Sequence, residues 1–219
     1  MNIYLEIMPR KSADRPLEHP VPFNPLDKGS LGKSVAEAFL ATDLHPLPPE
    51  KRFSGAGVYA LYYFGKSSSY KLLVERSAQP LGPVPIYVGK AVPTGGRKGD
   101  QVFDASQGNS LFSRLRHHAN SIKQTTNLDI DDFQCRYLVV DDVWIPLGES
   151  LLIRQFRPLW NVIVEGFGNN PTGGPRGSQK RSPWDTLHPG RSGVGQATEE
   201  TIKREQHLRE KIDKHLKQE

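Results

Sequence analysis

Short apolar runs with strand-type residues alternate with longer stretches of helical periodicity, and Pro- and Gly-rich segments separate them. These three observations predict an α+β chain: a small sheet flanked by helices, with long loop insertions and extensions at both ends. The clearest strands are Gly57-Val-Tyr-Ala-Leu-Tyr-Tyr63 and Val84-Pro-Ile-Tyr-Val88, short, rich in β-branched and aromatic residues and bounded by Gly, Pro and Ser. They bring Tyr59 and Tyr87 close together on one sheet, with Gly89 and Lys90 following the second strand. Taken alone, these residues also fit ordinary strands ended by glycine.

Each further element follows in turn. Residues 9–30 carry Pro9, Pro16, Pro20, Pro22 and Pro25 among charges, which excludes a persistent element and predicts an arm. Residues 30–42 predict a short helix, capped by Ser30 and presenting Leu31, Val35, Ala38 and Phe39 on one face. The 65–83 insertion is too long for a tight hairpin, and within it 70–75 predict another strand. A Gly-rich basic loop at 91–109 precedes a helix from Ser110 to Lys123, with Leu111, Leu115, His118, Ala119 and Ile122 along one side. Arg114 and His118 lie one turn apart on it.

Residues 133–140 predict a third strand, bracketed by Asp129, Asp131, Asp132, Asp141 and Asp142, whose spacing suits turns better than metal ligation. Helical periodicity runs over 147–156 until Pro158, with Glu149 near its start, where a carboxylate also suits the helix dipole. Residues 157–164 then read as a short strand with Asn161 at an apolar position. The stretch 169–191 reads as no core element, and 198–217 predict a charged helix whose thin stripe of Ile202, Leu208, Ile212 and Leu216 packs on the body or on a second subunit.

Composition narrows the classes. Of 219 residues 36% are hydrophobic, and 20 Gly and 18 Pro put much of the chain into loops. The formal charge of +5 and a pI near 9.3 favour a polyanionic partner, since basic side chains release counterions from nucleic acid. Between Lys90 and Lys123 six basic residues (Lys90, Arg97, Lys98, Arg114, Arg116, Lys123) face two acidic ones, Asp100 and Asp104, as on a phosphate-facing surface or a solvated helix face. One cysteine, Cys135, excludes an intramolecular disulfide and a cysteine-rich metal site. No apolar run reaches membrane-span length and the N-terminus has no signal-peptide pattern, so a soluble, cytoplasmic protein without membrane partners is expected.

Gly57-Val-Tyr59, Tyr87-Val-Gly-Lys90, Arg114 with His118 four residues later, Glu149, and Pro158-Leu-Trp-Asn161 twelve residues after the glutamate form an ordered set. The set resembles the GIY-YIG nuclease family over residues 55–164. The resemblance implies a three-stranded antiparallel sheet flanked by helices, and Tyr59 as general base. Many members carry a tyrosine where this chain has His118, which leaves a choice between phosphate contact, proton relay and tuning of Tyr59; relay and tuning are favoured here. Side-chain chemistry agrees. Glu149 is the only acid of the set and so the natural ligand of one Mg²⁺ per site, with Mn²⁺ as a substitute. Arg114 offers a guanidinium fork to phosphate. Tyr59 needs a cation or the metal to lower its pKa, with Lys90 and His118 as candidates. Tyr87 positions water or phosphate, and Asn161 holds Glu149 or a phosphate oxygen.

The extensions are similar to those of GIY-YIG type II restriction endonucleases, in particular the subgroup cutting the palindrome CCGCGG. That implies double-stranded DNA as substrate, a homodimer matching the palindrome, and a cognate DNA methyltransferase in the host that is not a binding partner. The chain divides into a 1–54 arm and helix, a 55–164 catalytic domain with loops inserted at 65–83 and 91–109, and a 165–219 basic tail with a terminal helix. Candidate DNA contacts are Arg97, Lys98, Arg116, Arg176, Gln179, Lys180, Arg181, His188 and Arg191. Alternatives are a homing or repair-type nuclease, or a non-catalytic basic nucleic-acid-binding protein. No Asp or Glu is followed two residues later by Lys, which disfavours the common restriction-enzyme core.

Overall fold

The computed structural model describes residues 27–79, 82–93, 108–168, 181–192, 194 and 198–218. In chain order the elements are α1 (Lys28–Leu40), β1 (His45–Pro46), β2 (Gly57–Tyr63), α2 (Lys71–Ser77), β3 (Pro85–Ala91), α3 (Ser110–Lys123), β4 (Phe133–Val139), α4 (Ile145–Phe156), α5 (Leu159–Val162), α6 (Pro183–Leu187) and α7 (Glu199–Gln218). The sheet order is β1-β4-β2-β3, antiparallel throughout. The three expected strands form its body, and the two-residue β1 extends it beyond β4.

Strand alternation sorts the core. Every residue of the central strand β2 is buried, and its side chains point alternately to two sides. Val58, Ala60 and Tyr62 pack with Ala36, Phe39, Ile145 and Leu152 of α1 and α4. Tyr59, Leu61 and Tyr63 pack with Leu111, Leu115, Ile122, Trp160, Trp184 and Ile212 of α3, α5, α6 and α7. Helices therefore cover both faces, so β2 reads as a continuous apolar run. A Cβ on Gly57, whose φ is +155°, would fall 2.0 Å from the Leu138 carbonyl oxygen, so glycine there lets β2 and β4 approach.

Several expectations need correction. Residues 70–75 are helical, not a strand: a single turn ending at the buried Tyr70 leads into α2, whose buried Leu73 follows three residues later at helical spacing. Residues 157–164 hold the short helix α5, with Leu159 and Trp160 buried on one side and Asn161 turned to β3. The cap of α1 is Asp27, whose carboxylate accepts from the Gly29 and Ser30 amides at 2.7 and 3.2 Å, with Ser30 inside the helix. The stretch up to 191 is not outside the core, because Trp184 and Leu187 are buried there. The terminal helix packs on the body through Leu208, Ile212 and Leu216, while Ile202 stays 60% exposed. Asp129 does take a turn role, accepting from the Asp131 amide. The 1–26 arm lies outside the described residues.

The tail is fastened by polar chemistry. Ser182 caps α6 by accepting from the Asp185 amide and donates to the Asp185 carboxylate at 2.6 Å. Arg191 closes a bidentate pair on Asp185 at 2.9 and 2.8 Å, with its guanidinium over the Trp184 ring. His188 is buried at the junction with Tyr70. Asn127 donates to the Leu187 carbonyl, which turns its oxygen toward His188 Nδ1. His188 Nε2 is thus the acceptor from the Tyr70 hydroxyl at 2.5 Å, and Tyr70 in turn accepts from Trp160 Nε1 at 3.0 Å.

Candidate active site

Strands β2 and β3 place the two motif tyrosines. Tyr59 stands opposite Gly89, and Leu61 opposite Tyr87. The Tyr59 ring crosses Gly89, where a Cβ would fall 2.4 Å from the Tyr59 oxygen and 3.0 Å from a Tyr87 ring carbon. Glycine is therefore needed there for space. The two tyrosine rings sit 6.2 Å apart. Together with Lys90, Ser110, Ser113, Arg114, His117 and Glu149 they line a cleft of about 540 Å³.

Helix α3 crosses the same face. Its apolar side, Leu111, Leu115, Ala119 and Ile122, is buried, and that orients Arg114 and His118 toward the tyrosines. His118 Nε2 lies 2.6 Å from the Tyr59 hydroxyl, and both residues are fully buried. Burial pushes the Tyr59 hydroxyl well above its ordinary value near 10; the neighbouring Tyr87 adds to this and Arg114 opposes it. Burial, then Arg114, His117 and Arg191, hold His118 well below 6.5, so its imidazole is neutral near pH 7. Arg114 donates to the Gly168 carbonyl at 3.2 Å.

The rim of the cleft comes from α4. That helix begins at Ile145, so Glu149 lies a full turn inside it, not in the first turn where it would serve the dipole. Gly148 packs beside Val35 and Val58 and lets α4 approach the sheet. Glu149 thereby reaches Lys90, with Nζ 2.7 Å from Oε2. Lys90 is thus the partner of Glu149, and of the two groups weighed as tuners of Tyr59 it is His118 that bonds the hydroxyl. Among the described residues no three His, Cys, Asp or Glu side chains cluster as a metal cage. One half-buried carboxylate facing an open cleft suits a hard cation that keeps most of its waters, so the residues present fit Mg²⁺.

Asn161 has a different partner from those expected. Its amide accepts from Val88 N and donates to Val88 O, both at 2.8 Å. Since β3 is an edge strand, Asn161 occupies the open hydrogen-bonding side of the segment that carries Tyr87 and Gly89. The contact to Glu149 or phosphate is replaced by a grip on the strand.

The expected DNA contacts divide into groups. His188 is 3% exposed and committed to Tyr70 and Asn127, and Arg191 is committed to Asp185, so both belong to the fold, not to a DNA surface. Arg116 is exposed on α3 with its guanidinium over Phe112. Arg181 is half-buried, and its carbonyl accepts from Arg204. Arg97, Lys98, Arg176, Gln179 and Lys180 lie outside the described residues. Sequence reasoning missed Ser110, Ser113 and His117 in the cleft wall, although their three- and four-residue spacing from one another marks one helical face beside Arg114. It also missed Phe167, which stacks on His118 with centroids 4.6 Å apart and for which no sequence pattern speaks.

Tyrosines on neighbouring antiparallel strands, served by an arginine helix across one face and a glutamate helix at the rim, are the architecture of a GIY-YIG nuclease. A family model described as the Eco29kI GIY-YIG domain matches residues 51–216, and the chain belongs to this family of type II restriction endonucleases. No curated protein matches the chain.

Proposed function

We propose that the protein is a type II restriction endonuclease that hydrolyses double-stranded DNA at a short GC-rich palindrome, with one Mg²⁺ in each active site. The observation that carries this reading is the convergence on one cleft of Tyr59, Tyr87, Lys90, Arg114 and Glu149 from four elements, with Lys90 on Glu149 and with Tyr59 bonded from behind by the buried His118. The raised Tyr59 pKa argues against a standing phenolate. Tyr59 instead passes a proton on: its oxygen takes one from the attacking water while its own hydroxyl proton moves to the neutral Nε2 of His118. Arg114 leaves Gly168 for the phosphate and offsets the charge that builds on its oxygens. Glu149, steadied by Lys90, would hold the metal, which when bound supplies Lewis-acid neutralisation at the phosphate.

The target CCGCGG is what family resemblance supports. A palindrome read by identical halves calls for a homodimer with one site per strand, and a host methyltransferase would protect the same sequence. Arg97, Lys98, Arg116, Arg176, Gln179, Lys180 and Arg181 are the candidate contacts to the duplex.

The test is digestion of a plasmid of known sequence with Mg²⁺, followed by mapping of the ends and repetition with Glu149→Gln and Tyr59→Phe. Defined ends at one palindrome are expected, with each variant slowed about 10²-fold or more. Random nicking would overturn the restriction reading, and full cleavage by Glu149→Gln would overturn the site.

A further inference from the structure

Building on the nuclease reading above, we infer that Phe167 is a positioning residue for catalysis: its ring, in place of a carboxylate, sets the plane in which His118 meets Tyr59. A histidine that handles a nucleophile's proton is usually oriented by a third group bonded to its far nitrogen. Here that nitrogen, Nδ1, is buried and has no hydrogen-bond partner among the described residues. The polar contact described for His118 is Tyr59 alone, at Nε2. One hydrogen bond on a ring edge leaves rotation about Cβ–Cγ to be settled by packing.

Phe167 supplies that packing. Its ring lies over the imidazole with centroids 4.6 Å apart and planes 23° from parallel, and it is 4% exposed. Tyr87 meets it edge-on at 5.0 Å, Trp160 flanks it at 4.6 Å, and Trp184 of α6 at 5.0 Å. The turn that carries it also holds Arg114, through the Gly168 carbonyl. A Cβ on Gly168 would fall 2.6 Å from His118 Cε1, so the backbone itself closes over the imidazole. When the Tyr59 O–H bond breaks and the His118 Nε2–H bond forms, the imidazolium lies over an aromatic face, which stabilises a cation. Phe167 in turn rests on the tilted ring of Trp184, so the Ser182-to-Arg191 clasp reaches the catalytic pair through two aromatic rings in contact.

The experiment compares Phe167→Leu, which keeps apolar bulk without a ring, with Phe167→Tyr, which keeps the ring. Single-turnover cleavage, KM on a duplex substrate, melting temperature and the His118 Cε1–H NMR resonance of the free protein are measured for each. Phe167→Leu is expected to fold, to cleave about 30–100-fold more slowly with KM within about twofold, and to shift the His118 resonance downfield as the ring current is lost. Phe167→Tyr is expected to keep the rate within about threefold. A folded Phe167→Leu with wild-type rate, or rates in both variants that simply follow melting temperature, would overturn the proposal. If the wild-type protein cleaves no DNA, the nuclease reading fails, and an unmoved His118 resonance in Phe167→Leu then overturns the orientation claim by itself. Should Phe167→Leu not fold, Phe167→Met makes the same comparison.

Discussion

In the proposed mechanism Tyr59 and His118 act as one unit, because the proton leaving the Tyr59 hydroxyl goes to the His118 Nε2 that lies 2.6 Å from it. A tyrosine with its pKa raised by burial cannot hold a phenolate at neutral pH, and a histidine held below 6.5 is ready to accept. Their losses should therefore not add. Tyr59→Phe and His118→Ala are each expected to slow single-turnover cleavage by about 10²–10⁴-fold, and the double variant to be slowed no more than about threefold beyond the worse single. Additive losses in a double-mutant cycle would separate the two roles. Tyr59, Arg114, Glu149 and Asn161 were legible only together, as an ordered set at fixed offsets that resembles one family. The partner of Asn161 was not, because a side-chain amide that grips a backbone edge leaves no trace in spacing.

At the level of elements, the segment from Ser182 to Arg191 overturned the sequence reading most. Arginine, histidine and tryptophan among Pro and Gly look like a DNA-reading loop, yet here they form a clasp of one short helix, a buried ion pair and a buried histidine. The pair is 8% and 4% exposed, so leaving one partner alone is expensive. Asp185→Ala is expected to lower stability by about 3–5 kcal/mol in urea unfolding, whereas Arg116→Ala, exposed on α3, should change it by less than about 0.5 kcal/mol. If Asp185→Ala proves neutral to folding, Arg191 returns to the list of DNA contacts. The same burial explains the α2 and α5 misreadings. Tyr70 and Trp160 look like strand residues, but their hydroxyl and indole find each other and His188 only when both segments coil.

Among the described residues, burial holds His118 and His188 neutral at pH 7, and this gives the stability of the whole molecule a direction with pH. His188 is pushed down to about 3 and His118 well below 6.5. Between those values and 6.5 the unfolded chain binds protons that the folded chain does not. Stability is therefore full above pH 6.5 and falls as the pH drops toward 3, by on the order of 4 kcal/mol for His188 alone. Urea midpoints are expected to decline steadily from pH 7 to pH 4. His188→Gln should be less stable at pH 7 but show a shallower decline. An equal slope in both proteins would mean that His188 is already charged in the fold.

The sequence by itself determined the α+β class, the three central strands, the arginine helix and part of the cleft lining, namely Tyr59, Tyr87, Lys90, Arg114 and Glu149. Regular periodicity and fixed offsets are local properties, and neighbours along the chain can encode them. Tertiary structure alone decided that Lys90 serves Glu149 and His118 serves Tyr59, that Asn161 grips β3, that His188 and Arg191 hold the tail instead of DNA, and that Phe167 lies over the imidazole. Each of these joins positions far apart in the chain, and which partner a buried polar group takes depends on which faces are brought together when the sheet is covered on both sides.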